Sequence, residues 1–233
     1  MAELLQSVIE HPIPFSILPK SSIIIAKPCS IYNRCFFVLY RNKLLNLVRN
    51  LLEPWIKKLG FGVAAIGLSA HHWTLIGTVF AIFSAIAYSE LLFGGAVVGG
   101  ILLLSSGFID IIDGAVARAK GTVSNKGGFL DSTYDRLGEV FIFTGIMLGG
   151  YAESWIVLLA LSFSLLVSYA KSRSETFGLR MAGIGIGERA ERILVLGILS
   201  IIGLVWLGVI IILLLTVVTF IHRVYYASKR LTS

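Results

Sequence analysis

The chain has 233 residues, of which 56% are hydrophobic and 14% charged, and a mean hydropathy of +0.87; this excludes an ordinary soluble domain and points to an integral membrane protein. The formal net charge of +7 has no soluble basic domain to decorate, so anionic lipid head groups or an anionic substrate are the expected partners and nucleic acid is not. Cys29 and Cys35 lack histidine or cysteine partners at metal-ligand spacing, which argues against a zinc site or a disulfide framework.

Residues 1–41 contain Pro12, Pro14, Pro19 and Pro28 and short apolar runs, without the basic, apolar and small-residue order of a signal peptide, and form an extension of no assigned function. Residues 43–60 place Leu44, Leu45, Val48, Leu51, Leu52, Trp55 and Ile56 at helical spacing between Lys43, Arg49, Lys57 and Lys58, as an amphipathic interfacial helix would. Ser69 stands where an N-cap would precede the first span. From there to residue 230 the pattern predicts an all-α membrane domain, counted as 42–230 with the interfacial helix. Its six transmembrane helices fall near 73–89, 94–117, 128–149, 154–172, 189–205 and 207–227. Residues 193–221 carry no charge, a length long for one crossing and short for two; a break near Gly203 to Gly208 divides it. Arg118, Lys120 and Lys126, then Lys171, Arg173, Arg180, Arg189 and Arg192, lie in alternate connections, and the other turns have no Lys or Arg. The positive-inside rule then predicts a multi-pass protein with both termini cytoplasmic, in agreement with Arg223, Lys229 and Arg230 near the C-terminus.

Against this apolar background, residues 110–135 hold four aspartates. Asp110 and Asp113 are spaced i, i+3 at the inner end of the second span, and Asp131 and Asp135 are spaced i, i+4 at the inner start of the third. Each pair shares a helix face, and a short connection makes the two helices antiparallel neighbours. Converging carboxylates repel unless protonated or neutralised, and an all-oxygen donor set suits Mg²⁺ or Mn²⁺. Gly114 follows one aspartate directly, and Gly127 and Gly128 open the third helix, where bare backbone admits a planar or phosphorylated group. Intramembrane aspartates also occur in cation transporters, which is the alternative class, but transport does not explain the glycines or why all four acids cluster at one membrane face.

Written as D-x2-D-G-x2-A-R-x8-G-x3-D-x3-D, the stretch is filled by Asp110, Asp113, Gly114, Ala117, Arg118, Gly127, Asp131 and Asp135. It resembles the signature of the CDP-alcohol phosphatidyltransferase family. The resemblance implies transfer of a phosphatidyl-type group from a CDP-linked lipid to the hydroxyl of a small polar acceptor, with release of CMP. It implies that Asp110, Asp113 and Asp131 hold two metal ions, with Asp135 partly coordinating and serving as general base. Gly114, Ala117, Arg118 and Gly127 would bind the CDP-lipid, in a homodimer with its active site on the cytoplasmic face of the cell membrane. The family often has a Pro-Asn pair where this chain has Ala70 and His71.

The acceptor has to be sought outside that stretch. Lys171, Arg173, Arg189 and Arg192 lie at the inner ends of spans four and five, and guanidinium grips phosphate through two hydrogen bonds. They predict an anionic acceptor such as a polyol phosphate. The segments S-Y-x-x-x-R-x-E at 168–175 and E-R-x-E-R at 188–192 resemble the members of the family that use inositol 1-phosphate. Glycerol 3-phosphate is the alternative acceptor.

Overall fold

The computed structural model describes residues 67–91, 95–181 and 183–231, together with 60, 62 and 63. The expected interfacial helix at 43–60 and the extension at 1–41 lie outside the described residues, apart from Gly60. Six helices follow: α1 (Ala70–Tyr88), α2 (Ala96–Ala119), α3 (Asn125–Leu148), α4 (Ser154–Thr176), α5 (Arg189–Ile201) and α6 (Val205–Arg230). No strand occurs among the described residues. The fold is all-α and the helices fall where the apolar periodicity predicts them. The break between the last two lies at 202–204, where Gly203 takes a φ of +79°, a conformation glycine adopts without strain.

Four helices, α1, α2, α4 and α6, are long and apolar enough to cross a membrane. The other two differ for separate reasons. Helix α3 carries Lys126, Asp131, Asp135, Arg136 and Glu139, and α5 has 13 residues, about 20 Å at 1.5 Å per residue.

Helix α1 packs on α2 and α3, α2 on α5, α5 on α6, α6 on α4, and α4 on α3. The core between them holds Tyr88, Leu103, Ile142, Ile146, Val157 and Val209, while Phe83, Phe108, Leu158, Leu214 and Ile221 face outward. Large apolar side chains on both the inside and the outside suit a protein whose solvent is hydrocarbon. Because lipid tails are as apolar as the helix surfaces, close backbone approach must supply the packing. It does so at Gly145 of α3, where an added Cβ would lie 2.2 Å from the Ala85 carbonyl oxygen of α1.

The turn from α2 to α3 sets the site. Helix α2 ends at Ala119, Gly121 takes a φ of +63°, and α3 starts under Ser124, whose hydroxyl accepts from the Gly127 N–H at 3.1 Å. That cap fixes the phase of α3, and with it the direction of Asp131 and Asp135. Ser69 precedes α1 as expected but bonds the ring of His72, with no side-chain cap to the backbone.

Candidate active site

Three of the four aspartates converge. Asp110 and Asp113 on α2 and Asp131 on α3 each present a carboxylate oxygen, and these oxygens lie within 4.8 Å of one another. Asp113 is buried and accepts a 2.8 Å hydrogen bond from the Thr74 hydroxyl, a residue of α1 that the sequence did not single out. One oxygen of Asp131 is buried without a hydrogen-bond partner. A buried carboxylate oxygen left unpaired among other carboxylates is costly unless a cation completes it. The donor set is all oxygen and one Asp131 oxygen is left unpaired, so the residues present fit a hard divalent ion.

Asp135 stands one turn further along α3 and outside this triad. Its carboxylate is paired with Arg189 at 2.8 Å and Arg136 at 3.4 Å. Arg189, from the first turn of α5, also reaches Asp110 at 2.9 Å, so one guanidinium nitrogen joins α2 and α3 through their acids. The Asp135 carboxylate is thus held in place by two cations and remains beside the triad.

Two cavities meet at Asp131. One, of about 330 Å³, is lined by Asp113, Gly114, Ala117, Arg118, Gly127 and Asp131, together with Ala70, His71 and Thr74 of α1 and the turn residues Thr122 to Ser124. All four residues expected to bind the CDP-lipid therefore share one cavity with two acids of the triad. Arg118 extends along it, with a guanidinium nitrogen 3.2 Å from where a Cβ on Gly114 would stand. His71 lies at the mouth of this cavity, its ring 6.3 Å from that of Tyr134.

The other cavity, of about 340 Å³, is lined by Lys171, Arg189 and Arg192 with Arg136 and Arg223, and by Asp110, Asp131 and Asp135. Three of the four expected acceptor-phosphate residues are brought together here. Arg173 is not among the residues lining either cavity; its guanidinium lies 4.6 Å over the Phe177 ring. Arg192 lines the cavity with little freedom. It is 4% exposed, donates to the Gly187 carbonyl at 2.6 Å, and is ion-paired with Glu139 of α3. Arg136 and Arg223 line it as well; Arg223 was expected as a charge near the cytoplasmic C-terminus, and Arg136 had no expected role. For Arg136 the only signal was its place beside Asp135. For Arg223 it was the spacing of Thr216, Thr219 and Arg223 along one side of an otherwise apolar helix.

Comparison with known proteins follows the same stretch of chain. The family described as CDP-alcohol phosphatidyltransferase matches residues 71–222. The archaetidylinositol phosphate synthase of Pyrococcus horikoshii is 39% identical over 188 residues, covering 81% of this chain and 98% of that protein. That of Methanothermobacter thermautotrophicus is 38% identical over 196 residues, covering 82% and 95%. The crystal structure of Mycobacterium tuberculosis phosphatidylinositol phosphate synthase with CDP-DAG bound superposes with a TM-score of 0.65 at 24% identity, over 74% of this chain and 92% of that one, and carries the fold. A second structure of that protein is in complex with manganese and citrate. With the motif, the acidic triad and the match agreeing over the same helices, the chain belongs to the CDP-alcohol phosphatidyltransferase family and is a membrane phosphatidyltransferase of phospholipid biosynthesis.

Proposed function

We propose that this enzyme transfers an archaetidyl or phosphatidyl group from a CDP-linked lipid to a hydroxyl of inositol 1-phosphate, releasing CMP. The observation that carries the reading is the meeting of the two cavities at Asp131, one walled by glycine, alanine and Arg118, the other by Lys171, Arg136 and Arg189. The names of the relatives from Pyrococcus and Methanothermobacter point to the same acceptor.

In this reading the diphosphate of the donor lies across Asp113 and Asp131, with the nucleotide against Gly114, Ala117 and Gly127 and Arg118 on a nucleotide phosphate oxygen. Lys171 and Arg189 hold the acceptor phosphate, which directs a ring hydroxyl at the Asp135 carboxylate. Asp135 takes the hydroxyl proton as the oxygen attacks the lipid-bearing phosphorus, and the bond from that phosphorus to the CMP oxygen breaks. Asp110, Asp113 and Asp131 would hold two Mg²⁺ or Mn²⁺ ions, with Asp135 at the edge of the set, and such ions neutralise charge developing on the diphosphate. Arg192 serves this site through its pair with Glu139. Arg173 is left at its rim.

All six helices cross the cell membrane in this proposal, with both termini and the active site cytoplasmic and the chain a homodimer. Asp135 and Glu139 of α3 then meet Arg189 and Arg192 of α5, while Lys126 stays exposed. Donor tails stay in the bilayer while the nucleotide and the acceptor reach the site from water. Family membership and the clustering of the acids around one spot disfavour cation transport.

The test is release of labelled CMP from CDP-archaeol or CDP-diacylglycerol with inositol 1-phosphate and Mg²⁺ or Mn²⁺. CMP release that depends on inositol 1-phosphate supports the proposal. Turnover with glycerol 3-phosphate and none with inositol 1-phosphate overturns the acceptor, and no turnover with either overturns the reaction.

A further inference from the structure

The connection from α4 to α5 ends in a non-helical segment, residues 183–188, in which Gly185 and Gly187 are buried. Irregular backbone inside a membrane protein needs partners for its N–H and C=O groups. Here α6 supplies partners for three of them. The Thr219 hydroxyl oxygen accepts from the Ile186 N–H at 3.0 Å and from the Gly187 N–H at 2.9 Å. Arg223 donates from Nε to the Ile184 carbonyl at 2.8 Å and from Nη1 to the Val167 carbonyl of α4, also at 2.8 Å. Its Nη2 lies 3.5 Å from the Glu188 carboxylate. Thr219 is fully buried and Arg223 nearly so. The fit is close: Gly185 has a φ of +104°, and a Cβ there would lie 2.1 Å from the Thr219 methyl carbon.

What this segment delivers is the first turn of α5. Glu188 is its N-cap, in a capping box with Glu191, and the Glu188 N–H donates to the Glu191 carboxylate at 2.9 Å. The next residue is Arg189, whose guanidinium spans Asp110 and Asp135. A shift of the segment would therefore move Arg189 directly. Helix α5 packs on α2 and α6 and reaches the charged part of α3 through the long side chains of Arg189 and Arg192, so the placement of Arg189 against Asp135 depends on how residues 183–188 are held.

We infer that Thr219 and Arg223 of α6 are positioning residues: they clamp residues 183–188 so that Arg189 is held for the acceptor phosphate. Thr219 does not line the basic cavity; Arg223 does, but all three nitrogens of its guanidinium are engaged, by the Ile184 and Val167 carbonyls and the Glu188 carboxylate. Both act through Arg189 and not on substrate. The inference rests on the acceptor reading proposed above, and it separates the two cavities: the clamp touches no residue of the nucleotide side.

Thr219→Val keeps the shape and removes the hydroxyl; Thr219→Ser keeps the hydroxyl. In the full-length enzyme in detergent micelles, Thr219→Val is expected to raise the KM for the phosphorylated acceptor about three- to tenfold, the scale of one neutral hydrogen bond. The KM for CDP-lipid is expected to stay within about twofold, because the interaction lost is not one the donor uses. Thr219→Ser is expected to restore the acceptor KM. Melting temperatures of the three proteins are measured alongside. Should Thr219→Val not fold, Thr219→Ala, which also removes the hydroxyl and relieves the contact with Gly185, decides the matter by the same selective rise. An unchanged acceptor KM, equal rises in both KM values, or failure of Thr219→Ser to rescue overturns the inference. Glycerol 3-phosphate is run in parallel. If it replaces inositol 1-phosphate as the acceptor used, the acceptor assignment falls, while the split measured with glycerol 3-phosphate still decides the role of the clamp.

Discussion

On the Gly114 side of Asp131 the cavity wall is largely backbone and small side chains, with Arg118 and His71 among them, drawn from residues 113–131 and the start of α1. On the Arg189 side it is long charged side chains drawn from α3, α4, α5 and α6. The first wall is shaped by what is missing, the Cβ atoms of Gly114 and Gly127, and its position follows from two helices and one capped turn. The second depends on where each guanidinium finds its partners. Arg189 and Arg192, three residues apart on α5, show how far such choices diverge: one faces Asp110 and Asp135 in the cavity, the other is buried against Glu139 and Gly187. Small-residue walls are set by local chain geometry, whereas arginine walls are set by competition among distant acceptors.

The strongest test of the seam between the walls is Asp131→Asn, expected to lower CMP release on the order of 10³-fold, since it weakens the cluster both cavities share. Chelation of divalent ions from the wild type is expected to match it, and a loss below tenfold would remove Asp131 from the centre. Asp135→Asn is expected to lower kcat by roughly 10²- to 10⁴-fold with the CDP-lipid KM little changed, as loss of a base would. A change confined to KM would make Asp135 a binding group.

The contrast between the two arginines is sharpened by stability. Arg192→Ala or Glu139→Gln breaks a buried pair and is expected to cost about 3–5 kcal/mol, read as a lowered melting temperature in detergent. Arg189→Ala, at a partly open site whose acids keep other neighbours, is expected to leave melting largely intact and to raise the acceptor KM. Equal melting of the two variants would erase the distinction. On the other wall, Gly114→Leu is expected to raise the CDP-lipid KM about tenfold by overfilling the nucleotide cavity, with the acceptor KM unmoved. The smallest effect belongs to Arg173→Ala, expected to change either KM by no more than about twofold because its guanidinium rests on Phe177 at the surface.

These contrasts mark what was legible in the chain. The i, i+3 and i, i+4 spacings of the aspartates already put each pair on one helix face, and the structure joins three of them. The break at Gly203 was visible as a glycine in an uncharged run too long for one crossing. Thr74 gave no signal, being one hydroxyl among several on an apolar helix. Arg223 was read as an anchoring charge because a basic residue near a chain end looks alike whether solvated or buried.

By itself the sequence determined the all-α membrane character, the helix order and the acidic, glycine-lined half of the site. All of these rest on local periodicity and short-range spacing, which a chain carries whatever its tertiary packing. Only the tertiary structure decided which cations turn toward the acids, that Asp135 stands apart from the triad, and that α6 braces the start of α5. Those outcomes depend on contacts between residues 32 to 79 positions apart, as Thr219 is from Gly187 and Arg189 from Asp110. Side chains as long as arginine select among such contacts by burial and pairing, which spacing along the chain does not encode.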